Sequence, residues 1–455
     1  MQMINKWLED TASFVWGVPI VALLACTHLF LTFRTGFIQK HIIRAIRLSV
    51  AKDPDGQGDV SQFGALATAL AATIGTGNIY GVAGAVLLGG PGAVLWMWLT
   101  GVFGIATKYG EALLSVKYRI VNDRGQMSGG PMYVLERALK AKWAGVLFAV
   151  FAAVAAFGIG NMTQANAIAD MVVAKKAILP FEFSDMQIKF GIGIILSVIT
   201  ALVILGGIQS ISKFCTFLVP FMAIFYVLGC LIILAVGWEK IPSTLNLIFT
   251  SAFTGQAAVG GFVGAGIKEA IRFGVARGLF SNESGLGSAP IVAAAARTSD
   301  PVRQALVSST GTFWDTVIVC AMTGLVVVGS GDWMQPGMTK ASLCDAAFDH
   351  LGAFGDFILV GGLLTFVFST ILGWSYYGEK AVEYLVGTKP IFAYRWLWVA
   401  AVFIGSVWKS DAVWNFADIM NALMALPNVA ALLLLSHIIA SETKRYFSDP
   451  ANLKN

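Results

Sequence analysis

The chain has 455 residues, 57% of them apolar and only 13% charged, with a mean hydropathy of +0.74. Soluble domains carry about 45–50% apolar residues, so a soluble domain is excluded and an all-α polytopic membrane protein is expected. A net charge of +5 on so apolar a chain, with its cations in short loops, points to membrane topology and not to nucleic acid.

Apolar runs of about 18 residues or more read as membrane spans. They number about eleven in chain order, near 13–33, 61–88, 92–118, 143–174, 190–208, 214–237, 257–297, 303–329, 355–385, 391–408 and 412–440. Glu9 and Asp10 precede the first run, the wrong flank for a secretory signal, and the run is too long for one, so a retained span over 11–33 is expected. Residues 34–59 read as an amphipathic segment with Lys40, Arg44 and Arg47 on one helical face, an interfacial or solvated face being sufficient to explain them. Cys26, Cys215, Cys230 and Cys320 lie in apolar runs and Cys344 in an expected loop; none forms a CxxC, so free thiols and no structural metal are expected.

The second span is interrupted at 71–78, Ala-Ala-Thr-Ile-Gly-Thr-Gly-Asn. Glycine costs about 1 kcal/mol against alanine inside a helix, and in hydrocarbon every backbone group freed by a break needs a partner within the protein. Free N–H groups at the start of a half-helix suit a carboxylate, and freed carbonyls on the other half suit a small cation. One break can therefore hold an anion and a cation together; the other reading is that the glycines only let helices pack closely. A nucleotide loop would need a strand before it and an amphipathic helix after it, and both flanks here are membrane-apolar.

In the third span Lys108 and Glu111, three residues apart, read as a helical ion pair. In the fourth, Asn161, Gln164 and Ile168 share a face, and the two amides serve either interhelical hydrogen bonding or contact with a polar substrate. The seventh run is too long for one straight helix and carries a second interruption at 277–290, with three glycines, a proline and Glu283; a competing break lies at 254–261. Asp315 in the eighth span is a candidate ion or proton site, because an ionisable residue in a span is functional by default. The ninth span carries Thr365, Ser369, Thr370 and Trp374. Membrane hydroxyls often bond only the carbonyl four residues back, but an adjacent Ser-Thr pair facing a broken helix offers uncharged hard oxygens suited to an alkali ion.

Sorting the 31 Lys and Arg by loop, an outside N-terminus leaves about 20 on the cytoplasmic side and about 7 outside, with Lys108, Lys268, Arg272 and Arg277 unplaced; N-out, C-in is expected. The second and seventh spans then run in opposite directions, each opening a five-helix unit with a break, which is the pattern of an inverted-repeat secondary transporter. The expected organisation is 1–60 for the N-terminal span and amphipathic cytoplasmic segment, 61–237 for the first repeat (spans 2–6), 238–440 for the second (spans 7–11), and 441–455 for a cytoplasmic tail.

Residues 72–78 (Ala-Thr-Ile-Gly-Thr-Gly-Asn), 89–92 (Gly-Gly-Pro-Gly), 129–133 (Gly-Gly-Pro-Met-Tyr) and above all 274–290 (Gly-Val-Ala-Arg-Gly-Leu-Phe-Ser-Asn-Glu-Ser-Gly-Leu-Gly-Ser-Ala-Pro) resemble one family. It is the alanine or glycine:cation symporters, the sodium:alanine symporters of bacteria and archaea, and the likeness covers essentially the whole chain; Ser284 stands where the family is expected to have Ala. The resemblance implies a LeuT-type fold with one extra N-terminal helix, in the inner membrane of a prokaryote, cotransporting Na⁺ with alanine or glycine. It implies no organic cofactor and leaves the oligomeric state open, a monomer being compatible.

Carried over by position, the resemblance implies that Gly75, Thr76, Gly77 and Asn78 receive the substrate carboxylate. Gln164, Phe280 and Trp374 line the rest of the pocket and leave space for a methyl and little more, and carbonyls around Phe280, Ser281 and Asn282 take the ammonium. The implied Na⁺ set is Ala71, Ile74, Ser369 and Thr370, with Phe366 completing it. The competing expectations are an H⁺-coupled small amino-acid permease using Asp315 or Glu283, and, less favoured, an ion channel, which gives no reason for two oppositely directed breaks. No metal cluster and no nucleophile beside a base suggests an enzyme.

Overall fold

The computed structural model describes residues 2–176, 182–254, 266–408 and 411–453. These are helical apart from connecting turns, one short hairpin, β1 (Ile120–Val121) with β2 (Met127–Ser128), and two isolated bridges. Helices α1 (Gln2–Val15) and α2 (Val18–Arg34) together form an apolar stretch from Asn5 to Arg34. They join at Gly17, with Pro19 in the first turn of α2, where its missing N–H is no loss. α3 (Ile42–Val50) is the amphipathic segment, with Ala45 and Leu48 buried. Its cationic face is not wholly left to solvent, since the Arg44 guanidinium lies 5.7 Å and 5.6 Å from the ring centroids of Tyr446 and Phe447.

The second span divides into α4 (Gln62–Thr73) and α5 (Val82–Gly89), joined through the wide turn Gly77–Gly81 and bent by 56°. α6 (Gly92–Lys117) follows, then α7 (Pro131–Arg137), and α8 (Lys142–Phe157) and α9 (Thr163–Ala174), which a second wide turn, Gly158–Met162, connects. α10 (Asp185–Ile204), α11 (Gly207–Val236) and α12 (Ile241–Thr254) follow. The competing break at 254–261 lies, past Thr254, outside the described residues.

The seventh run is broken as its length requires. α13 (Ile267–Asn282) stops at Glu283, which takes a left-handed conformation (φ 55°), and the chain turns through Gly285 and Gly287 before the single turn α14 (Pro290–Ala293). The arm beyond this break is therefore much shorter than α5. α15 (Pro301–Thr312), the wide turn Phe313–Cys320 and α16 (Ala321–Ser330) form the eighth span. α17 (Lys340–Asp349) holds Cys344 buried on a helix, not in the expected loop, because Leu343, Ala347 and Phe348 beside it pack inward. α18 (Ala353–Val386), α19 (Ile391–Val407), α20 (Asp411–Leu434) and α21 (Ser436–Ser448) close the chain.

Among the described residues seven helical stretches are long and apolar enough to cross a membrane, and eight with the bent pair α4–α5 counted as one span. α6 packs against α13, α15 and α2, and α18 against α4, α8 and α11. The two broken segments run in opposite directions. Gln62, at the start of α4, bonds Thr298 beyond the second break (3.2 Å), while Gly89, at the end of α5, lies against Glu269 and Phe273 at the start of α13.

Candidate functional site

Where α4 ends, Ile74 and Gly75 leave helical geometry, and the carbonyls of Ala71 and Ile74 are released from the ladder, the Gly75 N–H being taken by Asn78 Oδ1. α18 passes beside them and supplies two hydroxyls. Ser369 Oγ lies 3.1 Å from the Ala71 carbonyl oxygen, 3.5 Å from that of Ile74 and 2.8 Å from that of Phe366. Thr370 Oγ1 lies 3.2 Å from the Ile74 oxygen and 2.9 Å from the Phe366 oxygen. Five uncharged oxygens from two helices thus converge in a space buried from solvent. That donor set suits a monovalent hard cation that must both bind and leave. Thr365, one turn away, instead donates to Gly361 and Gly362 of its own helix (2.7 Å and 3.1 Å).

Next to this cluster a small cavity, with about 20 Å³ open to the centre of a water molecule, is lined by Thr73, Gly75, Thr76, Gly77, Gln164, Phe280, Glu283, Thr370, Trp374 and Asn421, among others. Its floor is the start of the second half-helix, where the first N–H groups have no partner within the helix and carry partial positive charge. Trp374 forms a wall and is held in place, its Nε1 donating to Glu283 Oε1 (3.0 Å). It can come this close only because residue 160 is glycine: a Cβ there would stand 2.3 Å from the Trp374 Cβ. The two amides of the fourth span separate in role. Asn161 donates to the Trp398 carbonyl of α19 (3.0 Å), whereas Gln164 lines the cavity, donating Nε2 to the Ile159 carbonyl (2.9 Å) and leaving Oε1 without a partner among the described residues.

Asn78, Ser281 and Asn282 are not among the residues that line the cavity, and their side chains are engaged elsewhere. Asn78 is fully buried; its Oδ1 accepts the Gly75 N–H (2.8 Å) and its Nδ2 donates to Asp315 Oδ1 (2.6 Å). It caps the break from behind and uses the Gly75 N–H in doing so, which leaves the N–H groups of Thr76 and Gly77 at the cavity floor. Ser281 donates to Asp315 Oδ2 (2.9 Å), and Asn282 donates to Thr316 Oγ1 (3.1 Å). The Asn282 carbonyl is already taken by an ammonium of the protein, Lys108 Nζ at 2.6 Å. Lys108 and Glu111 consequently do not form the expected pair: Glu111 Oε1 accepts from the N–H groups of Gly285 and Gly287 (3.0 Å each) and from Asn428 Nδ2 (2.6 Å), capping the second break.

Above the cavity a vestibule of about 510 Å³ shares Thr76, Gly77, Gln164 and Phe280 with it and reaches Arg277, Lys340 and Asp418. Phe280 lines both spaces; the Arg277 guanidinium sits 5.9 Å from its ring centroid, and Trp16 meets it edge-on. The opposite face is sealed. Arg119 donates to the carbonyls of Ala294 (2.9 Å), Ala296 (2.8 Å) and Gln57 (2.8 Å), and the Arg297 N–H to that of Val60 (2.7 Å).

The sequence model of the sodium:alanine symporter family matches residues 1–455. The chain belongs to that family. The sodium/alanine symporter AgcS of Methanococcus maripaludis is 52% identical to this family member over 444 residues, covering 95% of each chain. The probable sodium/glutamine symporter GlnT of Bacillus subtilis is 33% identical over 453 residues, 98% of this chain and 91% of its own. Among solved structures, MhsT in complex with L-phenylalanine superposes with a TM-score of 0.52 over 84% of this chain and 99% of its own. A manganese transporter of Eremococcus coleocola gives 0.51 over 86% and 81%. Both are 13% identical and speak to the fold alone, which is LeuT-type.

Among the cavity residues of this symporter-family chain, Thr73, Glu283 and Asn421 had been given no pocket role from sequence. Thr73 lay within the first interruption, Glu283 marked the second and stood as a proton carrier, and Asn421 drew no attention. An amide deep in an apolar run was the available signal for Asn421, the same signal that marked Gln164.

Proposed function

We propose that this chain is a Na⁺-coupled symporter of a small neutral amino acid, alanine or glycine, working by alternating access. The observation that carries the reading is the five-oxygen cluster of Ala71, Ile74, Phe366, Ser369 and Thr370, separated from the amino-acid cavity only by the broken end of α4. Na⁺ takes the oxygens, and the substrate carboxylate takes the N–H groups of Thr76 and Gly77. Both cargoes bind one broken helix, so each raises the other's affinity by the same factor. Trp374, Phe280 and Gln164 limit the side chain to about a methyl.

In this reading eleven spans form a 5+5 inverted repeat behind an extra N-terminal helix, with the N-terminus outside an inner membrane. The vestibule then faces outward and the Arg119 seal faces the cytoplasm. Counterflow tests the carrier itself: unlabelled alanine inside proteoliposomes drives labelled alanine uphill in a carrier and not in a channel. Competition by glycine, L-alanine and D-alanine then ranks the substrates. The buried carboxylates Asp315 and Glu283 favour H⁺ coupling as the second reading, and a pH gradient imposed without Na⁺ separates it from the first.

A further inference from the structure

The cavity has more acceptors than a carboxylate guest can use. Among the described residues Gln164 (3% exposed) keeps Oε1 unpartnered after Nε2 is fixed on the Ile159 carbonyl, and Asn421 (2% exposed) keeps Oδ1 unpartnered. Glu283 (4% exposed) accepts from Trp374 Nε1 and Ser288 Oγ, two bonds where an ionised carboxylate accepts about four. No Lys, Arg or His nitrogen among the described residues lies within 4 Å of the Glu283 carboxylate, Lys108 Nζ being committed to the Asn282 carbonyl. Buried acceptors without donors cost about 1–3 kcal/mol each, more when charged; two such amide oxygens and a carboxylate with room for about two more donors, all lining one small cavity, call for a guest rich in donors.

We infer that Glu283, Gln164 and Asn421 bind the α-ammonium of the substrate, so that the chain takes amino acids as zwitterions and rejects the corresponding α-hydroxy acids. An ammonium brings one positive charge and three donors, matching one carboxylate and two amide oxygens. Thr76 and Gly77, at the start of the second half-helix, line the same cavity, so a zwitterion is held by both of its charges. The carbonyl of Asn282, the alternative acceptor, already accepts from Lys108 Nζ, and Asn282 is not among the residues that line the cavity. This inference rests on the amino-acid carrier reading above.

The test uses full-length protein in proteoliposomes with labelled alanine, and lactate as the isosteric competitor. Glu283→Gln keeps an oxygen for Trp374 Nε1 and a polar partner for Ser288, so it removes the charge while preserving the wall. It is expected to raise the half-saturating alanine concentration about tenfold or more and to narrow the preference for alanine over lactate. Na⁺ binding without substrate, read by calorimetry, is expected to stay at the wild-type value, because the five oxygens are untouched. Asn421→Ala and Gln164→Ala are expected to shift alanine in the same direction by about threefold or more; they decide the question alone should Glu283→Gln fail to fold. Wild-type half-saturation and wild-type rejection of lactate in the variants that fold would overturn the ammonium site while leaving the carrier reading intact. Absence of alanine and glycine uptake by the wild type would overturn both.

Discussion

Gly75 and Thr370 leave no room for a side chain between them: a Cβ on residue 75 would stand 2.5 Å from the Thr370 hydroxyl oxygen. The glycine that breaks α4 is thus also the one that lets α18 bring its hydroxyl onto the freed carbonyl of Ile74. Gly75→Ala is expected to push Thr370 out of the oxygen cluster and raise the Na⁺ concentration for half-maximal uptake about tenfold or more, since even one charge-assisted ligand is worth about 1.5–3 kcal/mol. A wild-type Na⁺ titration in this variant would separate the break from the ion site.

Removing the hydroxyls tests the same cluster from the α18 side. Ser369→Ala with Thr370→Ala deletes two of its five oxygens while leaving the carbonyls in place. Uptake should lose most of its Na⁺ dependence while the purified protein stays folded and monodisperse; an unaltered Na⁺ titration would defeat the assignment.

Much of this was legible in the sequence, and the reason is local. Two glycines and an amide within an apolar run, or two adjacent hydroxyls in another, are anomalies that a window of a few residues exposes. What Asn78 does was not legible, because its partner Asp315 is 237 residues away and an amide beside a break reads equally well as facing the guest or bracing the helix from behind. Lys108 and Glu111 misled for the same reason: their spacing fits a local pair, but the second break, at Asn282 and Gly285, offers each of them a better partner. The length of helix beyond the second break was not legible either; with left-handed turns at Glu283, Gly285 and Gly287, it resumes as one helical turn only.

If Asn78 braces the break, its loss should be seen in stability as well as transport. Asn78→Ala leaves the Gly75 N–H and an Asp315 oxygen without their partner inside the bundle, at a cost of about 1–3 kcal/mol. A lowered thermal midpoint in detergent, by several degrees, is expected together with lost uptake. Lost uptake at an unchanged midpoint would return Asn78 to the cavity.

Trp374 should set the size limit. Trp374→Ala opens the wall and is expected to let leucine and methionine compete with alanine, whereas Gly160→Ala, whose Cβ would press on Trp374, should lower uptake even of glycine. Unchanged competition by the larger amino acids would count against this wall.

The sealed face gives a prediction about conformation. Arg119 ties residue 57, before the first broken helix, to residues 294 and 296, after the second. Arg119→Ala is expected to raise hydrogen exchange in both stretches about tenfold or more and to shift the population toward the state open on that side. Wild-type protection in both would show that other contacts hold the seal.

The shared break makes its most direct claim about energy coupling: the ion bound by α4 and α18 should drive the amino acid. Labelled alanine or glycine should accumulate in proteoliposomes above its external concentration when an inward Na⁺ gradient is imposed at fixed pH, and should only equilibrate without it. Accumulation under a pH gradient in the absence of Na⁺, with none under the Na⁺ gradient, would contradict it.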